Sequence, residues 1–373
     1  MANGSPHSSS RRKIVSIGGG NGPYMVGDGL REKHVDITIL STPADSGGDS
    51  GRIRNEMGEF LPPGDIRRGM MALMDSKYSA QLRRWFDHRM DDIKGEKRNV
   101  GNFIISSAID EFGLIEGLKF VEWLCHVKGT VLPMSTDDVH LHGKLDDGTM
   151  LHRETDLDTR PLTDFRSLVN VWLEPAAYIS EEAANAILEA DLITVGPGDL
   201  FTSIAGALKV KGVAEVLKES KATLAAIPSL MTKWSETRDY QVHDFVGKMV
   251  QDIGREQFDY TLCNNVLIDE KLLIDYVEKE KSTPMLVRDA HDLAQLRRYT
   301  HQIHQSDLLS QSGLRKGLIR HDARKVAHAL MDLIYARPPM VVGTYPLEQE
   351  SPPVQEGLLE KLRDAETSQK AKA

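Results

Sequence analysis

Cysteine is scarce: the chain of 373 residues has two, Cys125 and Cys263. Each sits in an apolar stretch, and neither belongs to a C-x-x-C or Cys/His ligand spacing. That argues against a disulfide framework or a structural zinc site and leaves two buried thiols. Positive charge is also in deficit. The formal net charge is −9, so a general nucleic-acid binder, which must neutralise phosphates, is not expected. A local basic pocket in an acidic surface stays open. No run approaches the ~20 apolar residues of a membrane helix. Met1–Arg12 is rich in Gly, Ser, Pro and His and lacks the apolar stretch of a secretory signal, so the expected compartment is the cytoplasm. Internal repeats, a P-loop lysine and a G-x-S-x-G elbow are missing too.

What is present alternates between short apolar runs and helical patterns. Ile14–Ile17 ends in three glycines, Pro23–Lys33 can be a helix with Pro in its first turn, and Val35–Leu40 is a second β-branched run. Strand, turn, helix and strand in so few residues imply a parallel sheet with helical crossovers. Helical patterns follow at Met70–Asp75, Ala80–Met90 and Phe103–Val127. Val131–Pro133, Val139–Leu145 and Thr149–Leu151 read as strands, with Asp146-Asp147-Gly148 as a hairpin turn, an antiparallel insertion on the main sheet. Leu192–Val195, Ala222–Ile227 and Tyr260–Cys263 are further strands, and His243–Ile253 and His321–Ala336 further helices. The expected class is α/β with a doubly wound core. Residues 13–345 are expected to form one domain, between a disordered leader (1–12) and a charged, flexible tail (346–373).

Four polar loops stand out. In Gly18-Gly19-Gly20-Asn21-Gly22, glycines let backbone N–H groups approach a ligand, and the following helix directs its N-terminus there, which favours an anion. The dinucleotide spacing G-x-G-x-x-G is not met, because Pro23 or Met25 falls on its last glycine. The second loop, after the second strand, is Asp45-Ser46-Gly47-Gly48-Asp49-Ser50-Gly51-Arg52. Its N–H groups can hold phosphate oxygens, Arg52 can clamp them, and Asp45 or Asp49 can hold Mg2+. In the third, Asp65 is placed to cap a helix whose first turn carries Arg67, a basic residue opposing the macrodipole unless it serves an anion. In the fourth, Gly196-Pro197-Gly198-Asp199, Asp199 is equally an N-cap or a ligand group, and Thr202 and Ser203 lie in the turn that follows. Strand alternation places His140 and His142 on one face near His152. A metal pair there lacks an acid partner at fixed spacing, and surface histidines are the commoner reading.

Taken in order, these segments resemble the CofD/YvcK superfamily and, within it, the gluconeogenesis factors. The resemblance rests on Ile17–Gly22 (IGGGNG), Ala44–Arg54 (ADSGGDSGRIR), Pro62–Arg67 (PPGDIR), Gly101–Asn102, Val131–Pro133, Ala190–Ile204 (ADLITVGPGDLFTSI), Leu230–Thr232 with Glu236-Thr237, Asn264–Asn265 and Ile319–Ala327 (IRHDARKVA). It implies a modified Rossmann-like three-layer α/β/α sandwich with a nucleotide at the carboxyl edge of the sheet. For the gluconeogenesis-factor branch it implies a UDP-sugar such as UDP-GlcNAc and a role in cell shape and wall synthesis, with no established catalysis. For the CofD branch it implies metal-dependent transfer of a phospholactyl group from a guanylyl-activated donor. The positions carried over are Gly19, Gly20, Asn21, Gly22, Asp45, Gly47, Gly48, Ser50, Gly51, Arg52, Asp65, Arg67, Gly101, Asn102, Gly196, Gly198, Thr202 and Ser203. Arg320 matches a C-terminal arginine implicated in UDP-sugar binding, and Tyr276 is loosely aligned with a tyrosine used there. In the second loop Ser46 stands where the family has an acid and Asp49 where it has a serine. Closed oligomers are most often dimers, so a homodimer is the default expectation.

Overall fold

The computed structural model describes residues 11–44, 62–91, 95 and 97–335. The central sheet has seven strands, all parallel: β1 (Arg12–Gly18), β2 (Val35–Ser41), β5 (Thr130–Pro133), β9 (Leu192–Val195), β10 (Thr223–Ala226), β11 (Phe258–Asn264) and β12 (Thr300–Ser306), in the order β12-β11-β10-β9-β1-β2-β5. β9 is buried along its whole length, which is why it reads as a continuous apolar run. Alternation sends Val15, Ile17, Ile193 and Val195 into one core, with the helices Glu181–Glu189 and Val242–Val250. Ile14, Ile37 and Leu192 enter the opposite core, with the helices Gly22–Leu30, Pro63–Leu73, Val100–Phe112 and Ala323–Tyr335. The result is three layers, α/β/α. A second, antiparallel sheet joins β7 (Met150–Leu151), β6 (His140–Leu145) and β8 (Leu168–Glu174), and a two-stranded ribbon joins β3 (Arg89–Asp91) to β4 (Lys97–Asn99).

The chain runs outward from β1 through β2 to β5, then returns to β9 on the other side of β1 and continues outward to β12. The order therefore reverses between β1 and β9, and the loops leaving their carboxyl ends diverge to leave a crevice, the usual ligand site of such sheets.

Several boundaries depart from expectation. The expected helix Phe103–Val127 is two helices, Val100–Phe112 and Leu114–Leu124, broken where Gly113 takes φ +79°. The pattern Ala80–Met90 stops at Phe86, and Arg89–Asp91 pairs as β3. Arg12, assigned to the leader, already pairs with Val35. Both cysteines are buried, and burial pushes the Cys125 thiol up to about 11 and the Cys263 thiol up to about 12. Among the described residues, no helix is long and apolar enough to cross a membrane.

One packing detail makes stability depend on pH. Burial raises the Glu122 carboxyl from 4.5 to about 7, although the Val131 N–H donates to it at 2.7 Å. A carboxyl raised in the folded state stabilises fully below its unfolded pKa, and that contribution is lost as pH rises through the folded value. Glu122→Gln keeps an acceptor for Val131 and removes the charge. We expect its urea midpoint to exceed the parent's at about pH 8 and to match it near pH 5.

Candidate functional site

The site is built where two turns collide. β1 ends in a turn with Gly18 at φ +151° and Gly20 at φ +63°, and β9 ends in one with Gly196 at φ +82°. A Cβ on Gly22 would lie 1.5 Å from the Pro197 carbonyl oxygen, so the turns touch backbone to backbone. A Cβ on Gly19 would meet Thr42 Cγ2 at 2.7 Å, which brings the stem of the second loop against the first. Only glycine permits either approach. Gly20 is uncrowded by comparison, with Ser203 Oγ in ordinary contact at 3.4 Å from its would-be Cβ. Above the turns lies a cleft of about 860 Å3, within the size range of small-molecule sites.

The cleft gathers residues from distant parts of the chain. Gly19, Gly20, Asn21, Gly22, Asp65, Arg67, Gly198, Asp199, Thr202, Ser203, Tyr276 and Arg320 all line it. Gly196 is not among the lining residues; its would-be Cβ points at the Ile227 carbonyl oxygen, 2.6 Å away. Gly101 and Asn102 lie behind Arg67: a Cβ on Gly101 would sit 2.8 Å from Arg67 Cδ, and Asn102 Oδ1 accepts from Arg67 Nε at 2.9 Å. Asp45, Gly47, Gly48, Asp49, Ser50, Gly51 and Arg52 fall outside the described residues.

Three expected roles change. Asp65 does not cap its own helix. That helix starts at Pro63, with no side-chain cap bond from Pro62, and the buried Asp65 carboxylate instead accepts from Gly20 N at 3.3 Å and Tyr24 Oη at 3.1 Å. It thus ties the first turn to the third loop and takes up one of the amides that an anion would use. Arg67 is buried and committed inward, donating to Asp87 Oδ1 at 2.5 Å as well as to Asn102. Asp199 occupies the N-cap position of the turn Leu200–Ala205 but makes no side-chain cap bond. That turn is wide: Ile204 N donates to Asp199 O, five residues back, at 3.0 Å.

The cap comes from Glu236, one of the residues quoted for the resemblance but not carried forward as a site position. Its fully buried carboxylate accepts from Phe201 N at 2.7 Å and Thr202 N at 3.3 Å, and from the Thr202 hydroxyl at 2.8 Å. Thr202 therefore faces protein rather than the cleft with its hydroxyl. Lys233, missed entirely, contacts Glu236 Oε1 at 3.2 Å, Asp199 Oδ2 at 2.7 Å and the Asp158 carboxylate. Burial opposes charge on Lys233, yet the pull of Glu236, Asp199 and Asp158 outweighs it and lifts the ammonium well above its ordinary 10.5. Burial also raises Glu236, against the attraction of Lys233. Lys233 and Glu236 are an ordinary i,i+3 pair in the sequence, and nothing local marks Lys233 further, because Asp158 and Asp199 come from distant segments.

Magnesium is the ion that the resemblance implies, and the ligands expected for it lie outside the described residues. Within them, Asp158, Asp199 and Glu236 bring carboxylate oxygens within 4.8 Å of one another. The Lys233 ammonium already neutralises that group, and both Glu236 oxygens accept hydrogen bonds. As arranged, these donors do not fit a divalent ion.

Part of the cleft has a different chemistry. Tyr276, Leu230, Leu318 and Ile319 give it an apolar and aromatic lining, and Arg320 is exposed at its rim. The Tyr276 hydroxyl accepts from Ile319 N at 3.0 Å, fixing the ring against the segment that carries Arg320. Burial lowers the neighbouring His321 to about 4, which leaves it neutral and a weak base at ordinary pH.

Comparisons with known proteins bear on the family and the fold. The profile of the family described as 2-phospho-L-lactate transferase CofD matches residues 14–309. A gluconeogenesis factor from Halalkalibacterium halodurans is 32% identical over 325 residues, covering 86% of this chain and 96% of that protein. A Clostridium acetobutylicum protein, for which the gluconeogenesis-factor name is provisional, is 32% identical over 86% of this chain and 69% of its own length. Among solved structures, a UPF0052 family member from Bacillus halodurans superposes with a TM-score of 0.77 at 30% identity, over 86% of this chain and 99% of that one.

Proposed function

Since the chain belongs to the CofD family and gluconeogenesis factors are among its relatives, we propose that it is a cytoplasmic regulatory protein that binds a nucleotide-sugar of the UDP-GlcNAc kind and links carbon metabolism to cell shape and wall synthesis. The observation that carries this reading is the polarity of the cleft. Glycine turns at the sheet's switch point offer amides to a diphosphate. Tyr276 and its apolar neighbours offer a face to a base, and Arg320 offers a cation beside it. Asp158 and Asp199 offer acceptors to sugar hydroxyls. A regulatory role is favoured over catalysis because the gluconeogenesis factors are relatives of this chain.

A ligand present at 100 times its Kd stabilises a protein by about 2.7 kcal/mol, so UDP-GlcNAc should raise the melting temperature clearly. Arg320→Ala should reduce that rise by weakening binding roughly tenfold or more, and should leave the ligand-free melting temperature unchanged, because the residue is exposed. The absence of any shift with uridine or guanosine diphosphate sugars at millimolar concentration would overturn the reading.

The second reading, CofD-like transfer from a nucleoside-diphosphate-linked donor, is favoured by the description of the matching family. It requires metal-dependent release of a nucleoside monophosphate. Binding without release favours the regulatory reading.

A further inference from the structure

We propose that His142, His152 and Glu174 form a binding site for one divalent transition-metal ion of the zinc class on the antiparallel sheet, outside the nucleotide cleft. The strand register assembles it. β6 pairs with β7 through Gly143 and Leu151, so extending the ladder by one residue sets His142 opposite His152. On its other side β6 pairs with β8, with His142 opposite Trp172 and His140 opposite Glu174. Alternation puts Trp172 and Glu174 on one face, and Glu174 becomes the diagonal neighbour of His142, within reach of a long side chain. This is the acid partner that spacing along the chain does not reveal.

The spacing of the two imidazoles suits an ion, and the carboxylate stands one side-chain movement away. The two Nδ1 atoms are 3.3 Å apart, with the rings edge to face. Two nitrogens bound to one tetrahedral zinc at roughly 2.05 Å lie about 3.3 Å apart, so the ring nitrogens that now face each other could share one ion. Glu174 Oε2 stands 4.0 Å from His142 Nδ1 on a largely exposed side chain, and has to swing inward for the three groups to share one ion. Trp172 Nε1–H donates to Oε2 at 3.3 Å while the indole stacks on the His142 ring at 5.8 Å, which keeps the carboxylate on the histidine face. Groups that hold a ligand in place from behind in this way are the usual support of a metal site. Two imidazoles and a carboxylate select zinc, cobalt, nickel or copper over magnesium or calcium, and water completes the coordination. His152 lies two residues before the helix Glu154–Asp158, whose Glu154, Thr155 and Asp158 line the cleft. An ion there pins the entry to that wall.

The test is equilibrium dialysis of the full-length, chelator-treated chain against Zn2+, with Co2+ absorption as the probe of geometry. We expect one ion per chain, a tetrahedral Co2+ spectrum, no competition from millimolar Mg2+ and slower amide exchange over residues 152–158 with Zn2+. His152→Ala, at an exposed position, and His142→Gln should each weaken binding at least tenfold, and Trp172→Phe by less. A wild-type Kd weaker than about 100 µM would overturn the proposal. So would undiminished binding by the His142→Gln/His152→Ala double variant, which would place the ion elsewhere.

Discussion

Gly22→Ala is expected to lower stability by about 3 kcal/mol or more, read as a fall in the urea midpoint at unchanged slope. The added methyl carbon would have to share space with the Pro197 carbonyl oxygen, 1.5 Å away. Neither partner can yield cheaply. Gly22 opens the helix Gly22–Leu30, and Gly29 in the same helix abuts the Ala323 carbonyl, its would-be Cβ only 2.0 Å from that oxygen. On the other side, Gly196 N donates to Ile17 O at 3.0 Å and the Ser229 hydroxyl donates to Gly198 O at 2.7 Å, holding the fourth loop at both ends. Gly20→Ala is the contrast. Its Cβ meets nothing closer than 3.4 Å, so the cost is the left-handed φ of +63° alone, about 1 kcal/mol, while the methyl group intrudes on the turn that faces the cleft. Gly22→Ala should thus act on stability, and Gly20→Ala mainly on ligand affinity. A Gly22→Ala midpoint equal to the parent's would mean that the two turns do not meet.

Lys233→Met should cost a comparable amount, about 3–5 kcal/mol, the usual penalty for stripping the partner from a buried charge. Methionine fills the stem's volume, so the loss reports charge rather than packing. Glu236 would keep its bonds from Phe201, Thr202 N and the Thr202 hydroxyl but lose its only nearby cation among the described residues, with Asp199 and Asp158 still beside it. Its carboxyl, already raised by burial, should rise further. A carboxyl raised in the folded state penalises folding more as pH increases, so the deficit of Lys233→Met should be larger at about pH 8 than near pH 5. Adding Glu236→Gln should recover part of it. The measurement is a pair of urea titrations at the two pH values; a deficit independent of pH would show that Lys233 does not balance these carboxylates.

The fold was legible wherever burial is two-sided. Ile14–Ile17, Val35–Leu40 and Leu192–Val195 are apolar because both sheet faces are covered, and these strands form the centre of the sheet. What escaped lies at edges and irregularities. β12, Thr-His-Gln-Ile-His-Gln-Ser, is a polar, partly exposed edge strand with no apolar alternation to find. β8 shows a broken alternation because its register with β6 shifts at Lys144/Leu145. Within the candidate site, the glycines could be found because close backbone approach leaves a residue-type signature. The polar groups were harder to read. Arg67 looked like an anion clamp because its partners, Asn102 and Asp87, are 35 and 20 residues away. Glu236, not Asp199, caps the turn Leu200–Ala205, across 35 residues from Phe201. A short polar side chain near a helix start is a sound local inference, but tertiary structure can supply a better acceptor from elsewhere.

The central claim, a nucleotide-sugar seated between the first and fourth loops with its base against Tyr276 and Arg320, is tested most directly by native mass spectrometry of the purified chain, before and after adding UDP-GlcNAc. The account predicts one added mass of a nucleotide-sugar per chain, retained by Arg67→Lys and lost by Arg320→Ala at equal ligand concentration. Absence of any adduct with UDP- or GDP-linked sugars at millimolar concentration, from a chain that remains folded, would contradict it.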